Sequence, residues 1–329
     1  MKSYQIAGIG NAIVDVITTV EDRFLERLDI HKAIMQLIER DRAEALYAAM
    51  SERAEASGGS VANTLAGASA LGLRAAFVGR VTDDALGRFY AQDAARVGMD
   101  FVNAPVAGGD LPTSRSMIFV TPDGERSMNT YLGMSAELGP EDVDAAVMAA
   151  SEIVFLEGYL FDKDKGKQAF LKAARACRGA GGRAGIALSD PFCVDRHRAD
   201  FRQLVVQDMD YVIGNEQEWV SLYQANDLDE ALAQAARDCD LVVCTRSGDP
   251  VWIVEKGMRV EIPVAATVPV DATGAGDQFA AGFLYGLATG RDMATAGRMG
   301  VLAAREVIGH IGARPKSDLL AAFRGAGLI

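Results

Sequence analysis

The chain has 329 residues, half of them hydrophobic, which is enough to bury the core of one large α/β domain or two smaller ones. Its formal charge of −12 argues against nucleic acid or an anionic membrane as a partner. The four cysteines show no C-x-x-C spacing and the three histidines lie far apart in the sequence, so we expect reduced thiols, a cytoplasmic location and no zinc site.

Strand-like and helix-like segments alternate along most of the chain, which predicts a mainly parallel sheet covered by helices on both faces. The first strand is predicted at Tyr4–Ile9. Glycines and polar residues interrupt the apolar run there, so we expect neither a signal peptide nor a membrane span. The further predicted elements are a helix at Ser60–Ala70, a strand at Ala75–Gly79, a helix opened by Thr82–Asp84 and closed by Gly98, a strand at Ile153–Leu156, a helix at Lys165–Ala180, strands at Arg183–Leu188 and Tyr211–Ile213, a helix at Asn215–Gln224, a strand at Leu241–Thr245 and a nearly all-helical region from Asp271 to Ala326.

Two segments do not follow the alternation. Ala12–Val20 and Thr113–Thr121 resemble β strands without crossover helices, and Arg126–Tyr131 continues the second set. We expect these strands to pair into a small sheet that lies over the main one as a lid, formed by about residues 12–40 and 106–132. Ordinary edge strands of the main sheet are the alternative. Residues 1–329 are thus predicted to form one domain.

Polar residues follow the first predicted strand. Gly8-Ile-Gly10-Asn11 invites comparison with a dinucleotide fingerprint, but Ile13 stands where the third glycine would be and no helical pattern follows. We therefore reject a Rossmann site at this point. Asn11 and Asp15 can instead hydrogen-bond a polyol, with Asp15 suited to two adjacent hydroxyls. A solvated aspartate at a strand end is the alternative for Asp15.

The segment Ser57-Gly-Gly-Ser-Val-Ala-Asn63 precedes and begins the next predicted helix. Gly58 and Gly59 permit close approach of the backbone to a ligand, and Asn63 lies in the first helical turn. This arrangement can hold a sugar ring by its edge. A glycine-rich turn with Ser60 as the helix cap is the alternative.

Two further segments carry polar residues at the start of a predicted element. Pro122-Asp-Gly-Glu-Arg-Ser127 resembles a hairpin turn that places Arg126 at the start of a strand. Arginine stays ionised and donates in a fork, which suits developing phosphoryl charge, although an exposed hairpin arginine is usually inert. Asn215-Glu-Gln-Glu218 is close to a helix capping box, and the sequence alone favours that structural role.

The most informative segment is Val270-Asp-Ala-Thr-Gly-Ala-Gly-Asp-Gln-Phe-Ala-Ala-Gly-Phe283. It joins a β-like run, Ala265–Val270, to an amphipathic helix whose first turn holds Asp277. The amides at Gly274–Gly276 can converge on an anion. A carboxylate there should repel an anion, unless Asp277 takes a proton from a hydroxyl that attacks a phosphoryl group held by those amides. This predicts a phosphotransferase site, the alternative being that Asp277 merely complements the helix dipole.

The string Asp-x-Thr-Gly-Ala-Gly-Asp-x-Phe-x-x-Gly-Phe resembles the C-terminal signature of the ribokinase-like (PfkB) carbohydrate and nucleoside kinases, with Ala272 where many members have threonine. The likeness covers essentially the whole chain. Five stretches are similar to the bacterial adenosine-kinase-like branch: Gly10-Asn-Ala-x-Val-Asp15, Thr121-Pro-Asp-Gly-Glu-Arg126, Glu157-Gly-Tyr-Leu160, Leu188-Ser-Asp-Pro-Phe-Cys193 and Ile308-Gly-His-Ile-Gly-Ala-Arg-Pro315. The resemblance implies a three-layer αβα core with a mostly parallel sheet and a small β lid.

The resemblance also implies transfer of the ATP γ-phosphate, with Mg²⁺, to the 5′-hydroxyl of a ribonucleoside, adenosine being the first candidate. The implied catalytic residues are Asp277 as base, Gly274, Ala275 and Gly276 as anion hole, and Arg126 over the transferred phosphate. The implied ribose-binding residues are Asn11, Asp15, Gly58, Gly59 and Asn63, and the candidate apolar walls for a purine are Ile13, Met128, Leu132, Tyr159 and Phe192.

For ATP and its metal, the matching positions are Asn215, Thr245, Arg246, Gly248 and Glu218, the last holding Mg²⁺ through water. Many relatives also bind a monovalent cation such as K⁺, for which the matching positions are Asp271, Thr273, Val307, His310 and Gly312. A sugar kinase of the same family is the second candidate, and a catalytically silent binding protein the third. Either a monomer or a homodimer is expected.

Overall fold

A computed structural model describes residues 2–329, which form two β sheets and the helices around them. The strands in chain order are β1 (Tyr4–Ile9), β2 (Ile13–Thr19), β3 (Met35–Leu37), β4 (Ala54–Gly58), β5 (Ala75–Val78), β6 (Met99–Phe101), β7 (Ser114–Val120), β8 (Arg126–Tyr131), β9 (Ser151–Glu157), β10 (Arg183–Ala187), β11 (Tyr211–Asn215), β12 (Leu241–Arg246), β13 (Asp249–Glu255) and β14 (Met258–Ile262). The helices are α1 (Asp22–Arg27), α2 (Arg40–Ala49), α3 (Ser60–Ala70), α4 (Ala85–Arg96), α5 (Ala145–Ala149), α6 (Asp164–Gly179), α7 (Pro191–Asp208), α8 (Glu216–Tyr223), α9 (Leu228–Asp238), α10 (Ala275–Ala288), α11 (Met293–Val307) and α12 (Leu319–Gly325). Three short 3₁₀ helices lie at Gly133–Glu137, Pro140–Asp142 and Gly158–Asp162.

The main sheet has nine strands in the order β14-β13-β12-β11-β10-β9-β1-β5-β6. All neighbours from β12 to β6 are parallel, while β13 and β14 continue the sheet as antiparallel strands. Successive residues of each strand face opposite layers, as Ile6 and Ala7 illustrate. One face packs on α3, α4, α10 and α11, and the other on α6–α9. The predicted ribokinase-like α/β class is confirmed.

The second sheet has five strands in the order β3-β8-β7-β2-β4 and is called the lid sheet below. It contains the three strand segments that broke the alternation in the sequence. It also contains β3 and β4, which sequence patterning did not identify because their residues are mostly exposed and weakly alternating. The sheet therefore draws on residues up to Gly58.

The predicted β-like run Ala265–Val270 is wrong, since residues 263–270 form no strand. Val268 is 90% exposed and Val270 is 65% exposed, so no neighbouring layer buries the valines that gave the segment its β character. The Val270 amide donates to the Ile308 carbonyl at 2.8 Å, a loop contact rather than a ladder. Pro269 lacks the N–H that a central strand needs.

No helix within residues 2–329 has the length and apolar character to cross a bilayer.

Helices α10 and α11 approach closely because glycines face each other. A Cβ added at Gly282 would lie 2.5 Å from the Met299 carbonyl oxygen, and one added at Gly300 would lie 2.9 Å from the Phe279 carbonyl oxygen. Phe279 and Phe283, four residues apart, are both buried, in agreement with the amphipathic helix predicted here. The position of α10 is thus fixed by backbone contact that a larger side chain would break.

Replacing Gly282 by alanine should therefore destabilise the protein by about 1–3 kcal/mol, the usual cost of overpacking. Gly179 is a matched helical control, because a Cβ there would meet nothing within 4 Å. Gly179→Ala should be neutral or stabilising by roughly 0.5 kcal/mol, since alanine favours a helix. Urea unfolding of both variants measures the difference, and equal stabilities would contradict the close packing of α10 on α11.

Candidate active site

The first turn of α10 faces the first turn of α3, and Asp277 lies between them. Ser60 Oγ donates to Asp277 Oδ1 at 2.7 Å, and Asn63 Nδ2 donates to Asp277 Oδ2 at 3.1 Å. Burial raises the pKa of the Asp277 carboxyl to about 6, although the two donors and the Arg314 guanidinium oppose the rise. A carboxylate with such a pKa can accept a proton from a hydroxyl at neutral pH.

The position of this turn is set by two residues, Gly274, which is the N-cap of α10, and Gln278, which lies within the helix. Gly274 has φ +79°, and a Cβ there would lie 2.6 Å from Ala313 Cα, so both the conformation and the space require glycine. Gln278 is fully buried, and its Nε2 donates to the Asn63 carbonyl at 2.9 Å and to the Ala313 carbonyl at 3.0 Å. These contacts tie α10 to α3 and to the loop that carries Ala313.

The predicted anion hole consists of backbone amides in this same turn. The first N–H groups of a helix have no carbonyl partner within it. A Cβ at Gly276 would meet nothing within 4 Å, so the backbone there is open to a ligand. The Ala275 amide donates to the Ala272 carbonyl at 3.2 Å. It is therefore less available to a phosphate than its neighbours, and the role of Gly274, Ala275 and Gly276 stays a prediction.

Asp15, on β2, is a second carboxyl group with a shifted pKa. Burial raises the pKa of Asp15 to about 6; Arg126 and Arg314 lower it and the nearby Asp277 raises it further. Asp15 and Asp277 therefore lie close enough to affect each other's charge. Two such carboxylates can accept hydrogen bonds from several hydroxyls of one polyol.

In the turn from β4 to α3, the backbone lies very close to Asp15 and to the Asn11 carbonyl. A Cβ at Gly58 would lie 2.8 Å from Asp15 Oδ2. Gly59 has φ +98°, and a Cβ there would lie 2.0 Å from the Asn11 carbonyl oxygen. Gly59 is also the N-cap of α3, without a side-chain cap, so Ser60 does not cap the helix and donates to Asp277 instead.

Asn11 is almost completely buried, and its amide group is bound by other protein groups. Its backbone N and Nδ2 donate to Glu157 Oε1 at 2.8 and 2.6 Å, and Ser135 Oγ donates to its Oδ1 at 2.9 Å. The Val61 amide donates to Glu157 Oε2 at 3.1 Å. Burial raises the pKa of Glu157 to about 7 against these hydrogen bonds. Asn11 thus serves at least to fix the loop after β1, and its contact with a polyol stays a prediction.

Arg126 does not extend freely over the site. Its Nη1 forms a partly buried ion pair with Asp271 and also donates to Thr273 Oγ1 at 3.3 Å. Asp271 further accepts from the backbone amides of Thr273 and Gly312, each at 2.9 Å. Burial alone would raise the pKa of Asp271, but these hydrogen bonds and the Arg126 charge together lower it.

The arrangement around Asp271 bears on the predicted K⁺ site. A monovalent cation needs oxygen ligands, whereas the groups that reach this carboxylate are hydrogen-bond donors, one of them a guanidinium. His310 contacts Glu306 at 3.4 Å and the Ile311 carbonyl at 3.2 Å. Val307 is fully buried. In this arrangement Arg126 supplies the positive charge beside Asp271, and the role of these residues in binding K⁺ stays a prediction.

A cavity of about 580 Å³ adjoins the start of α10, a volume suited to a nucleotide. Residues of its lining that the sequence had assigned to ATP or to the anion hole are Asn215, Thr245, Arg246, Gly248, Ala275 and Gly276. The Arg246 guanidinium stacks 4.2 Å from the Trp252 ring centroid and lies 3.2 Å from Glu216. The predicted nucleotide loop and anion hole therefore border one cavity.

Glu218 caps α8. Its Oε2 accepts from the Asn215 backbone amide and its Oε1 from Asn215 Nδ2, both at 2.8 Å, while Asn215 Oδ1 accepts from the Glu218 amide at 2.9 Å. Burial raises the pKa of Glu218 to about 7. The capping box is thus present, and the role of Glu218 in holding Mg²⁺ through water stays a prediction.

Residues 2–329 contain no cluster of three or more His, Cys, Asp or Glu side chains that could hold a metal.

The predicted apolar walls are only partly brought together. Ile13 lies on the same face of the lid sheet as Asp15, two residues apart on one strand. Ile17, two residues further along β2, pairs with Ile118 on β7, and Ile118 pairs with Met128 on β8. Met128, and Arg126 two residues before it, therefore lie on that face too. Leu132 and Tyr159 are partly buried, but Phe192 is 71% exposed on the first turn of α7.

Sequence reasoning missed three residues of this site. Ser60 was read only as a cap, Glu157 was quoted in the family resemblance without a role, and Arg314 was treated likewise. Arg314 Nε donates to Asn63 Oδ1 at 3.2 Å. A buried glutamate at the end of a parallel strand is a usable signal, because a charge is rarely buried without partners. Arg314 lies in a loop with no periodic pattern, so the sequence could not indicate where its side chain points.

Comparison with known proteins agrees with the fold. The model of the pfkB family of carbohydrate kinases matches residues 30–319. The solved structure of a probable sugar kinase from Rhizobium etli CFN 42 is similar, with 45% identity, a TM-score of 0.91 and 100% of both chains covered. That of adenosine kinase from Sinorhizobium meliloti has 47% identity and a TM-score of 0.89, covering 98% of this chain and 99% of that one. A 5-dehydro-2-deoxygluconokinase from Halalkalibacterium halodurans is 29% identical over 261 residues, 76% of this chain and 79% of its own.

Replacing Asp277 by asparagine should raise the melting temperature at pH 8, since it removes a charge whose burial is unfavourable. Asparagine can still accept from Asn63 Nδ2 and donate to Ser60 Oγ. Because the folded-state pKa of Asp277 is raised to about 6, the wild-type charge cost is present above that pH and disappears as the pH falls toward 4. The gain in melting temperature should shrink accordingly.

Thermal unfolding followed by circular dichroism at several pH values measures this gain. Asp164→Asn is the control, because the Asp164 side chain is 92% exposed and should give no pH-dependent gain. A lower melting temperature for Asp277→Asn at pH 8 would contradict the unfavourable burial of Asp277.

Proposed function

This chain belongs to the pfkB family of carbohydrate kinases, and we propose that it transfers the γ-phosphate of ATP to the 5′-hydroxyl of a ribonucleoside, with adenosine as the first candidate. The observation that carries the proposal is the position of Asp277. Its carboxylate lies in the same helical turn as the open backbone of Gly276, and within electrostatic reach of Asp15. A base, an anion-binding turn and a polyol-binding carboxylate thus meet at one place.

In the proposed reaction, Asp15 accepts hydrogen bonds from adjacent hydroxyls of the ribose and orients the ring. Asp277 accepts the proton of the hydroxyl that attacks, and Ser60 and Asn63 hold its two oxygens in place. The amides around Gly276 donate to the phosphoryl oxygens as charge develops on them. Positioning of this kind supplies most of the acceleration in phosphoryl transfer, where the protein does little covalent chemistry.

The proposal places ATP in the 580 Å³ cavity, with its phosphates toward Gly276. Mg²⁺ would reach the site on those phosphates, which suits a metal that keeps several waters and uses few protein ligands. When bound, it neutralises phosphate charge. Arg126 offers a guanidinium at the lid face, which can donate to the transferred group once it leaves Asp271.

Adenosine is supported by the solved adenosine kinase that shares 47% identity with this chain, whereas the solved structure at 45% identity is that of a probable sugar kinase. Ile13 and Met128, on the same lid face as Asp15, supply apolar surface beside the polyol site, where a purine could lie. A sugar kinase is the second candidate, because the relatives at 28–29% identity include a 5-dehydro-2-deoxygluconokinase and a fructokinase. Asp15 and Asp277 would serve either acceptor.

Asp277→Asn should abolish phosphorylation while largely keeping binding of the acceptor, because asparagine cannot take the proton. We expect kcat to fall by about 10²–10⁴, the typical contribution of a general base. For the wild type, kcat/KM should rise with pH through about 6 as Asp277 loses its proton. ADP release measures turnover and calorimetry measures binding; substantial turnover by the variant would refute the role of Asp277 as base.

Wild-type protein with ATP and Mg²⁺ should release ADP fastest when adenosine is the acceptor, compared with other nucleosides, ribose, fructose and 5-dehydro-2-deoxygluconate. The physical reason is the apolar lid surface, which binds a purine more favourably than it binds further hydroxyl groups. Turnover of ribose or fructose without turnover of adenosine would overturn the first candidate in favour of the second. Acceptor binding without any ADP release would favour a silent binding protein.

A further inference from the structure

We propose that Arg314, held by Asp93, is a positioning residue for the reaction: it fixes the Asn63 amide so that Asn63 donates to Asp277 and keeps this carboxylate ionised. The inference deepens the proposed function and rests on Asp277 acting there as the base. It concerns a residue between α11 and α12, far in sequence from both partners, so it depends on the fold rather than on a motif.

The first observation is the direction of the Asn63 amide. Asn63 Oδ1 faces Arg314 Nε at 3.2 Å, and Asn63 Nδ2 faces Asp277 Oδ2 at 3.1 Å. A guanidinium can only donate and an ionised carboxylate can only accept. The reversed amide would set donor against donor on one side and acceptor against acceptor on the other. Arg314 and Asp277 therefore select the same orientation, in which Asn63 supports the charged form of Asp277.

The second observation is how Arg314 is held. Its Nη1 donates to Asp93 Oδ2 at 2.8 Å, and the Asp93 side chain is only 8% exposed. Asp93 lies on α4 and is also bound by Arg96 from the same helix, Nε to Oδ1 at 3.0 Å. A carboxylate between two guanidinium groups forms a rigid anchor, because both of its oxygens are engaged.

The third observation is that this arrangement is not optimal for stability. Arg314 Nη2 is buried and has no hydrogen-bond partner among residues 2–329. A buried donor without a partner is unfavourable, and apolar side chains often replace buried ion pairs without loss of stability. Packing alone therefore does not account for an arginine at this position.

The fourth observation is electrostatic. Around Asp277 lie Asp15 on β2, Glu157 at the end of β9 and Tyr159 in the 3₁₀ helix after it, together with Arg314. Arg314 is the positive group that lowers the pKa of both Asp15 and Asp277 against burial. Removing its charge and releasing the Asn63 amide should both raise the pKa of Asp277, so that less of the base is ionised at neutral pH.

The test compares Arg314→Met and Arg314→Lys with the matched control Arg175→Met. Arg175 also pairs with a buried aspartate, Asp208, at 2.9 Å, but has no contact with this site. The titration of Asp277 is followed by carboxyl ¹³C NMR of protein labelled at aspartate, and its signal is assigned from its absence in Asp277→Asn. This readout does not depend on catalysis.

We expect Arg314→Met to move the Asp277 midpoint upward by about one pH unit, the size of shift that loss of one nearby charge produces. Arg314→Lys should move it less, because lysine keeps the charge, and Arg175→Met should not move it. With the best acceptor, kcat/KM of Arg314→Met should fall about threefold at pH 6.5, the ratio of the ionised fractions for midpoints of about 6 and about 7, and return toward the wild-type value above pH 8. Damage to the fold would not recover with pH.

A midpoint in Arg314→Met that matches Arg175→Met would overturn the proposal, as would a loss of activity that is the same at every pH. If Arg314→Met fails to fold, Arg314→Gln decides, because glutamine also removes the charge: a midpoint and a kcat/KM profile unchanged from wild type would refute the positioning role. If the wild type turns over no acceptor, the proposed function fails, while the NMR titration still decides whether Arg314 governs Asp277.

Discussion

The structure depends on one constraint at the start of α10, where the helical turn that we propose to bind an anion also carries a buried carboxylate. The helix dipole favours both the anion and the carboxylate, but burial opposes the carboxylate. The protein meets this conflict with donors from another helix, Ser60 and Asn63 of α3. The two helices must therefore keep a fixed position relative to each other. Gln278 provides it by bonding the Asn63 carbonyl, and Gly67 by leaving room, since a Cβ there would lie 2.8 Å from Ala281 Cβ.

The same place concentrates negative charge. Burial raises the pKa values of Asp15, Glu157 and Asp277, so each ionised group is less stable in the fold than in water. Their roles differ. Glu157 accepts from two donors of Asn11 and from the Val61 amide at the start of α3, and so has a structural role. Asp15 and Asp277 are partly exposed, and a substrate hydroxyl can reach them. The guanidinium groups of Arg126 and Arg314 approach from the lid sheet and from the C-terminal loop. Under the proposed function, the unfavourable charge of Asp277 is tolerated because the reaction needs a base.

The sequence predicted what short-range pattern can encode. The period of Phe279 and Phe283, the glycines before Asp277 and the alternation of strands and helices each depend on neighbours along the chain, and the structure has all three. The run Ala265–Val270 failed because β character needs a pairing strand, which the local sequence cannot supply. Arg314 contacts Asn63 across 251 positions, and the Arg126 partner, Asp271, is 145 positions away. Contacts of that range follow from topology, which no local pattern contains.

The two sheets contribute different groups to the proposed site, and this difference determines which of them can select the acceptor. Apart from Arg126, the groups that would act on phosphate lie in the core, at the start of α10 and the end of β12, and any hydroxyl presented to Asp277 meets the same chemistry. Selection must therefore come from the surface that lies opposite, the lid face shared by Ile13, Asp15, Met128 and Arg126. On this face the residue suited to phosphate and the residue suited to the polyol are carried on strands joined through β7. A change in the register of β8 would displace Arg126 and Met128 together, so acceptor fit and phosphate contact are coupled by one ladder of hydrogen bonds.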